Sequence, residues 1–157
     1  MAIRIKNGDI LKAPVEAIVN PINTVGVMGA GLARQIRERY PDHYAAYREA
    51  CRRGEVRIGR MFVHDRGEGA RPRIIIGFPT KTDWRLPSKM EYIQAGLEDL
   101  VRVVREHGIR SIAVPALGAG LGGLDWRVVR PVILRALSGV EADVWVFEPV
   151  LMPRLRR

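Results

Sequence analysis

Two glycine-rich stretches hold the residue types in this chain best suited to gripping a ligand. The first is Asn20-Pro21-Ile22-Asn23-Thr24-Val25-Gly26-Val27-Met28-Gly29-Ala30-Gly31-Leu32, which follows an apolar run, Ala17 to Val19, that reads as a buried strand. Its Asn-Pro-Ile-Asn segment is expected to break that strand, and Ala30 onward reads as the first turns of a helix. The second is Leu117-Gly118-Ala119-Gly120-Leu121-Gly122-Gly123-Leu124, which follows the apolar run Ser111 to Pro115 and precedes a new apolar-periodic segment opening at Asp125. Each is a strand, a glycine loop and a helix start. Backbone N–H groups at a helix start have no intrahelical partner, and glycine lets a ligand come close to the main chain, so phosphates are natural guests. One such loop alone serves equally well as a packing turn. Two of them at the carboxyl ends of strands in one α/β sheet could face each other across a crevice and hold a diphosphate.

The elements that would position these loops alternate along the chain. Ile3 and Ile5 alternate with Arg4 and Lys6 in a short strand that ends at Asn7-Gly8-Asp9. Leu32, Ile36 and Tyr40 share one face of a helix from Gly31 to Tyr40, and Pro41 stops it. A second helix covers Asp42 to Arg53, with Asp42 complementing its dipole and Gly54 just past its end. Arg60 to Asp65 and Arg73 to Phe78 read as two strands, paired or in a hairpin, joined by the charged, glycine-rich Arg66 to Arg71. Pro79 to Pro87 reads as a polar and aromatic loop. Ser88 is placed to cap a long helix to about His107, with Glu91 completing a capping box and Ile93, Leu97, Leu100, Val101 and Val104 as its buried stripe. A strand at Ile112 to Val114, a helix at Trp126 to Leu137 and a strand at Val144 to Phe147 complete the pattern. Such alternation predicts an α/β fold: a three-layer α/β/α sandwich on a central mixed, mainly parallel sheet.

Composition narrows the classes of function. The 157 residues suit one domain, and 47% are hydrophobic, yet no apolar run approaches the roughly 20 residues of a membrane span. No membrane partner is expected. The start, Met1-Ala2-Ile3-Arg4, lacks the pattern of a signal peptide, and the single cysteine, Cys51, forbids an intrachain disulfide, so the chain reads as cytoplasmic. Cys51 itself reads as a passive helix residue. His43, His64 and His107 stand isolated in the sequence, so no metal site and no cofactor are expected. The formal net charge is +9, from 22 arginines and 4 lysines against 17 acidic residues, which favours polyanions such as nucleic acid through counterion release. The arginine bias could equally reflect genome composition or heat adaptation. Residues 150–157, ending in Arg154-Leu155-Arg156-Arg157, form a basic C-terminal tail that reads either as a solvated end or as the point where a longer chain continues.

Taken together, these motifs resemble a macrodomain, the ADP-ribose-binding module, over 3–149. The matching features are Gly8-Asp9-Ile10 after the first strand, Val19-Asn20 with Asn23, Gly29-Ala30-Gly31, and Gly118-Ala119-Gly120-Leu121-Gly122 after a late strand. Within that family, Thr24 to Gly29, Phe78-Pro79-Thr80-Lys81 with Trp84-Arg85, Pro87-Ser88, and Gly122 to Trp126 are similar to the DarG-type antitoxin branch, which removes ADP-ribose from thymidine in DNA. The resemblance implies a role for each matching position. Asp9 would accept from the adenine amino group with Ile10 beside it, although an aspartate is also favoured simply as a turn residue. Asn20 and Asn23 would lie near the distal ribose, or brace the loop. Gly29, Gly31 and Leu32 on one side, and Gly118, Ala119, Gly120, Leu121 and Gly122 on the other, would enclose the diphosphate. Phe147 would line the adenine pocket or belong to the core. Thr80, Trp84 and Arg85 would meet the nucleic acid, Trp84 stacking on a base and Arg85 reaching a phosphate, unless Trp84 only packs its loop.

Lys81 is the expected catalytic residue. A lysine amine can attack an anomeric carbon or move protons in glycosidic cleavage when part of it is neutral; the bland reading is a solvated loop lysine. Some positions depart from the family pattern: Gly77 where Asn is expected, Asp83 where a basic residue or His is usual, Ala30 where Lys is common. Gly122 stands where a related glycohydrolase acting on protein carboxylates carries an Asp, which argues against a lysine and aspartate pair. The implied activity is an ADP-ribosyl glycohydrolase acting on ADP-ribosylated single-stranded DNA, an antitoxin to a cognate ADP-ribosyltransferase toxin. Two alternatives stand beside it: a module that binds ADP-ribose without turnover, and a hydrolase of ADP-ribosylated protein or of small ADP-ribose derivatives.

Overall fold

A computed structural model of the chain describes residues 2–149. The basic tail, 150–157, lies outside the described residues. Six strands form one sheet: β1 (Ile3–Lys6), β2 (Ala17–Asn23), β3 (Phe62–Asp65), β4 (Ile74–Lys81), β5 (Ser111–Val114) and β6 (Asp143–Phe147). Their order is β1-β6-β5-β2-β4-β3, and every pair is parallel except β3 with β4. The helices are α1 (Gly31–Arg39), α2 (Pro41–Arg52), α3 (Met90–Glu106) and α4 (Trp126–Leu137). A short 3-10 turn, Ile10–Lys12, capped by the Asp9 side chain, follows β1 and was not foreseen.

Alternation along the strands sends successive side chains to opposite faces of the sheet. Ala17, Val19, Ile74, Ile76, Ile112, Val114, Val144 and Val146 pack with Leu97, Leu100, Val129 and Ile133 of α3 and α4. Ile18, Ile75, Ala113 and Phe147 point the other way, towards Ile36 of α1. A separate cluster, Ile22, Met28, Tyr47 and Ala50, seats α2 under the first glycine loop. Because both faces are covered, the central strands are continuously apolar, as buried parallel strands should be.

Two expectations are corrected by this topology. β2 does not break at Asn20-Pro21 but runs to Asn23, and β4 does not end at Phe78 but runs to Lys81, the two pairing from Ala17 opposite Ile74 to Asn23 opposite Lys81. β5 pairs with β2 only at Ala17 and Ile18, so Pro21 lies where β2 no longer has that neighbour, an edge-like setting that tolerates proline. The third correction concerns Ser88. The residue capping α3 is Lys89, without a side-chain cap bond, while the buried Ser88 Oγ has no hydrogen-bond partner among the described residues and its backbone N–H donates to Gly122 O at 3.0 Å. Ser88 supports the second glycine loop rather than the helix.

Candidate ligand cleft

The carboxyl ends of β2, β4 and β5 bring three connections together. The β2 loop enters α1 through Ala30, an N-cap residue that offers no side-chain hydrogen bond, so the first N–H groups of α1 stay open. By contrast, Asp125 caps α4 by accepting from Arg127 N–H at 2.9 Å. Opposite α1, the β5 loop turns on Gly118, at φ +73°, whose carbonyl accepts from Leu124 N–H at 2.9 Å. The isobutyl group of Leu121 reaches across to Gly31: a Cβ on Gly31 would lie 3.2 Å from it. The two glycine loops therefore do face each other, with open helix N–H groups on one wall and glycine backbone on the other.

Lys81 closes the third side. Its Nζ donates to Leu121 O at 3.2 Å, spanning from β4 to the β5 loop, and its backbone lies beside Asn23 in the sheet register. Because β4 is a strand up to Lys81, the lysine is carried on the sheet rather than on a free loop. The buried Thr80 donates from Oγ1 to Ile22 O at 3.4 Å, and Thr24 Oγ1 donates to Thr82 O at 2.6 Å, tying the β2 loop to the segment after Lys81.

Asn23 braces the backbone of its own loop. Asn23 Nδ2 donates to Val27 O at 2.7 Å, and Asn23 Oδ1 accepts from Val25 N–H at 3.0 Å, Val27 N–H at 3.4 Å and the Tyr47 hydroxyl at 2.8 Å. Asn20 is fully buried, its Nδ2 3.2 Å from His43 Nε2, and its Oδ1 has no partner among the described residues. His43, isolated in the sequence, sits with its Nδ1 3.2 Å from His64 Nδ1 and its ring stacked on His64 at 5.3 Å. Burial, and next the neighbouring His64, push His43 down to about 3, so it is neutral in the folded chain. Tyr47, held un-ionised mainly by burial, and His43 are the two supporting residues that sequence reading missed. Both lie on α2, four residues apart, a spacing that places them on one helical face. No group of three or more side chains able to hold a metal occurs among the described residues.

The remaining expected positions divide. Asp9 is exposed and its carboxylate accepts from Leu11 N–H at 2.9 Å; Ile10, just after β1, and Phe147, at the end of β6, are buried in one cluster. Gly29, Gly31 and Gly120 are exposed and Leu32 is half-buried, whereas Gly118 and Gly122 are buried. Trp84 is 54% exposed, with the Arg85 guanidinium 5.6 Å from its ring centroid. Arg85 is held by Asp83, through Nε at 3.0 Å and Nη2 at 2.9 Å, and that contact brings Asp83 down to about 2. Side chains at 77 and 122 would meet close neighbours. A Cβ at Gly77 would lie 2.7 Å from Ile22, and one at Gly122 would overlap both Gly118 O and Ser88 Oγ.

Comparison with known proteins agrees with this fold. The profile of the Macro domain matches residues 19–133. A DNA ADP-ribosyl glycohydrolase of Thermus aquaticus is 55% identical over 153 residues, which are 97% of this chain and 42% of that protein. The chain thus spans about two fifths of that relative's length. The solved macrodomain of Thermus aquaticus DarG superposes with a TM-score of 0.92, covering 94% of this chain and 99% of that one. Thermosipho africanus DarTG in complex with ADP-ribose gives 0.87 at 33% identity, covering 96% and 43%. With its six-stranded sheet, its paired glycine loops and these likenesses, the chain belongs to the macrodomain family.

Proposed function

We propose that this chain is a DNA ADP-ribosyl glycohydrolase that releases ADP-ribose from thymidine in single-stranded DNA, and that it opposes a cognate ADP-ribosyltransferase toxin. The observation that carries the reading is Lys81: an amine carried on a strand end, beside Asn23 and against the second glycine loop. A module that only binds ADP-ribose has no need of an amine there. The likeness to the DNA ADP-ribosyl glycohydrolase of Thermus aquaticus supports the same choice. Asp9, Ile10 and Phe147 would receive the adenine end, and the diphosphate would lie between the open N–H groups of α1 and the Gly118 to Gly122 backbone. That leaves the distal ribose near Lys81.

In the covalent route, neutral Lys81 attacks the anomeric carbon as the bond to the thymine nitrogen breaks. The base leaves with the bonding pair and takes up a proton, and water then hydrolyses the amine–sugar adduct to ADP-ribose and free lysine. An acid/base role for the same amine gives the same products without the adduct. Trp84 would stack on a base beside the modified one. Arg85 would reach a phosphate only by leaving Asp83.

The test is release of ADP-ribose from a single-stranded oligonucleotide carrying one ADP-ribosylated thymidine, with ADP-ribosylated protein and ADP-ribose 1″-phosphate offered alongside. Lys81→Ala should lose on the order of 10²-fold or more in release while still binding ADP-ribose, and Lys89→Ala should stay active. Wild-type turnover by Lys81→Ala defeats the catalytic assignment. Preference for either of the other two substrates defeats the DNA assignment.

A further inference from the structure

Beside the first glycine loop the surface carries a basic track that the cleft does not use. A cavity of ≈ 300 Å³ is lined by Gly29, Arg34, Arg37 and Glu38, so it opens directly off the loop that leads into α1. Beyond it, on the α1–α2 surface, the Arg37 and Arg48 guanidiniums converge on one ring, 4.6 Å and 5.5 Å from the centroid of Tyr44. Several arginines around them are ion-paired: Arg34 with Glu38, Arg66 with Asp42, and Arg52 and Arg53 sharing the single carboxylate of Glu49. Arg37 and Arg48 enter no ion pair among the described residues, and both are exposed. Stacking on Tyr44 orders the two side chains, which lowers the entropy lost when each donates to an anion.

We infer that Arg37 and Arg48, ordered on Tyr44 beside the Gly29 cavity, form a binding track for the phosphodiester backbone of single-stranded DNA next to the modified nucleotide. The inference rests on the proposed DNA reading, because that reading supplies a strand that must leave the cleft. Two unpaired guanidiniums suit phosphates, and the chain's net charge of +9 suits a polyanion rather than a neutral partner. Contacts of this kind position a strand without reading its bases. The track therefore adds affinity for length of DNA and leaves the chemistry alone.

The deciding variant is Arg37→Gln with Arg48→Gln, both at exposed positions. It is compared with the wild type on an ADP-ribosylated single-stranded decamer and on ADP-ribosylated thymidine nucleoside, which has no flanking phosphate. The expected result is a KM for the decamer raised about tenfold with kcat unchanged, a wild-type response on the nucleoside, and a salt dependence of the decamer KM shallower by about 1.4 in log–log slope. An equal loss on decamer and nucleoside, or an unchanged decamer KM, overturns the track. Fluorescence anisotropy with an unmodified decamer separates this from the function itself. If the wild type releases ADP-ribose from neither substrate, the glycohydrolase reading fails, and the track stands or falls on whether the variant binds that decamer more weakly.

Discussion

The two glycine loops face one cleft but owe their shapes to opposite causes. The β2 loop is held by side chains: Asn23 bonds three of its own loop's backbone groups, Tyr47 holds Asn23 from α2, and Thr24 reaches Thr82. The β5 loop is held by backbone, through Gly118 O with Leu124 N–H and Gly122 O with Ser88 N–H, at a point where side chains are excluded. A loop shaped by polar side chains can be loosened by deleting a hydroxyl. One shaped by excluded volume responds to the addition of a methyl group.

The largest effect should come from Gly120→Glu. Open space surrounds the position and its φ is not positive, so the variant should fold and set a carboxylate against the diphosphate. At an effective dielectric of about 20, one such like-charge contact near 4 Å costs about 4 kcal/mol, enough to weaken ADP-ribose by two to three orders of magnitude in calorimetry. Unchanged affinity in a folded variant would show that the diphosphate binds elsewhere.

Next in size is the contrast between Gly122→Ala and Gly120→Ala. Overpacking at 122 should cost about 1–3 kcal/mol in stability, with at least a severalfold loss of ADP-ribose binding, while alanine at 120 should be silent. Comparable behaviour of the two alanines in denaturant melts would remove the excluded-volume account of this loop.

Tyr47→Phe tests the other loop. The hydroxyl donates to Asn23 O at 2.7 Å and to Asn23 Oδ1 at 2.8 Å in a buried setting, so its removal should cost about 1–2 kcal/mol, again read from denaturant midpoints. Hydrogen exchange should rise at Val25 and Val27 and stay unchanged at Leu124. A uniform rise would mean that Tyr47 supports the whole fold rather than this loop.

Acid should act on a neighbouring contact, where His43 of α2 meets Asn20 of β2 and His64 of β3. His43 is neutral when folded, depressed to about 3, whereas in the unfolded chain it titrates near its usual value of 6.5. Its contribution to stability is therefore complete above pH 6.5 and is lost progressively as pH falls towards 3, by up to about 1.4 kcal/mol per pH unit. Asp42, Arg66 and His64 face it; Asp42 opposes the depression and Arg66 and His64 deepen it. Melting temperatures recorded from pH 7.5 to 4.5 should fall less steeply for His43→Gln than for the wild type, and parallel curves would discharge His43 from this role.

Local pattern was sufficient for much of this architecture. Strand alternation, the stripe of α3 and the two glycine loops all depend on neighbours within a few residues, so Ile93, Leu97 and Leu100 announce their burial and Gly118 to Gly122 announces a turn. The resemblance to macrodomains rests on those same local motifs. What local pattern misread were contacts made across the sheet. Pro21 and Pro79 look like strand breakers, yet the β2–β4 pairing carries both strands past them and so places Lys81 on a rigid edge. Ser88 looks like a cap because Glu91 follows three residues later, but burial against Gly122, 34 positions away, redirects it. His43 and His64, 21 positions apart, meet only because α2 packs against β3, and nothing in their spacing signals that Asn20 completes the chain of contacts. Hydrogen bonds and excluded volume act at a few ångströms in space, whatever the separation along the chain, so residue order can state which groups are available while only the packed sheet and helices decide which of them meet.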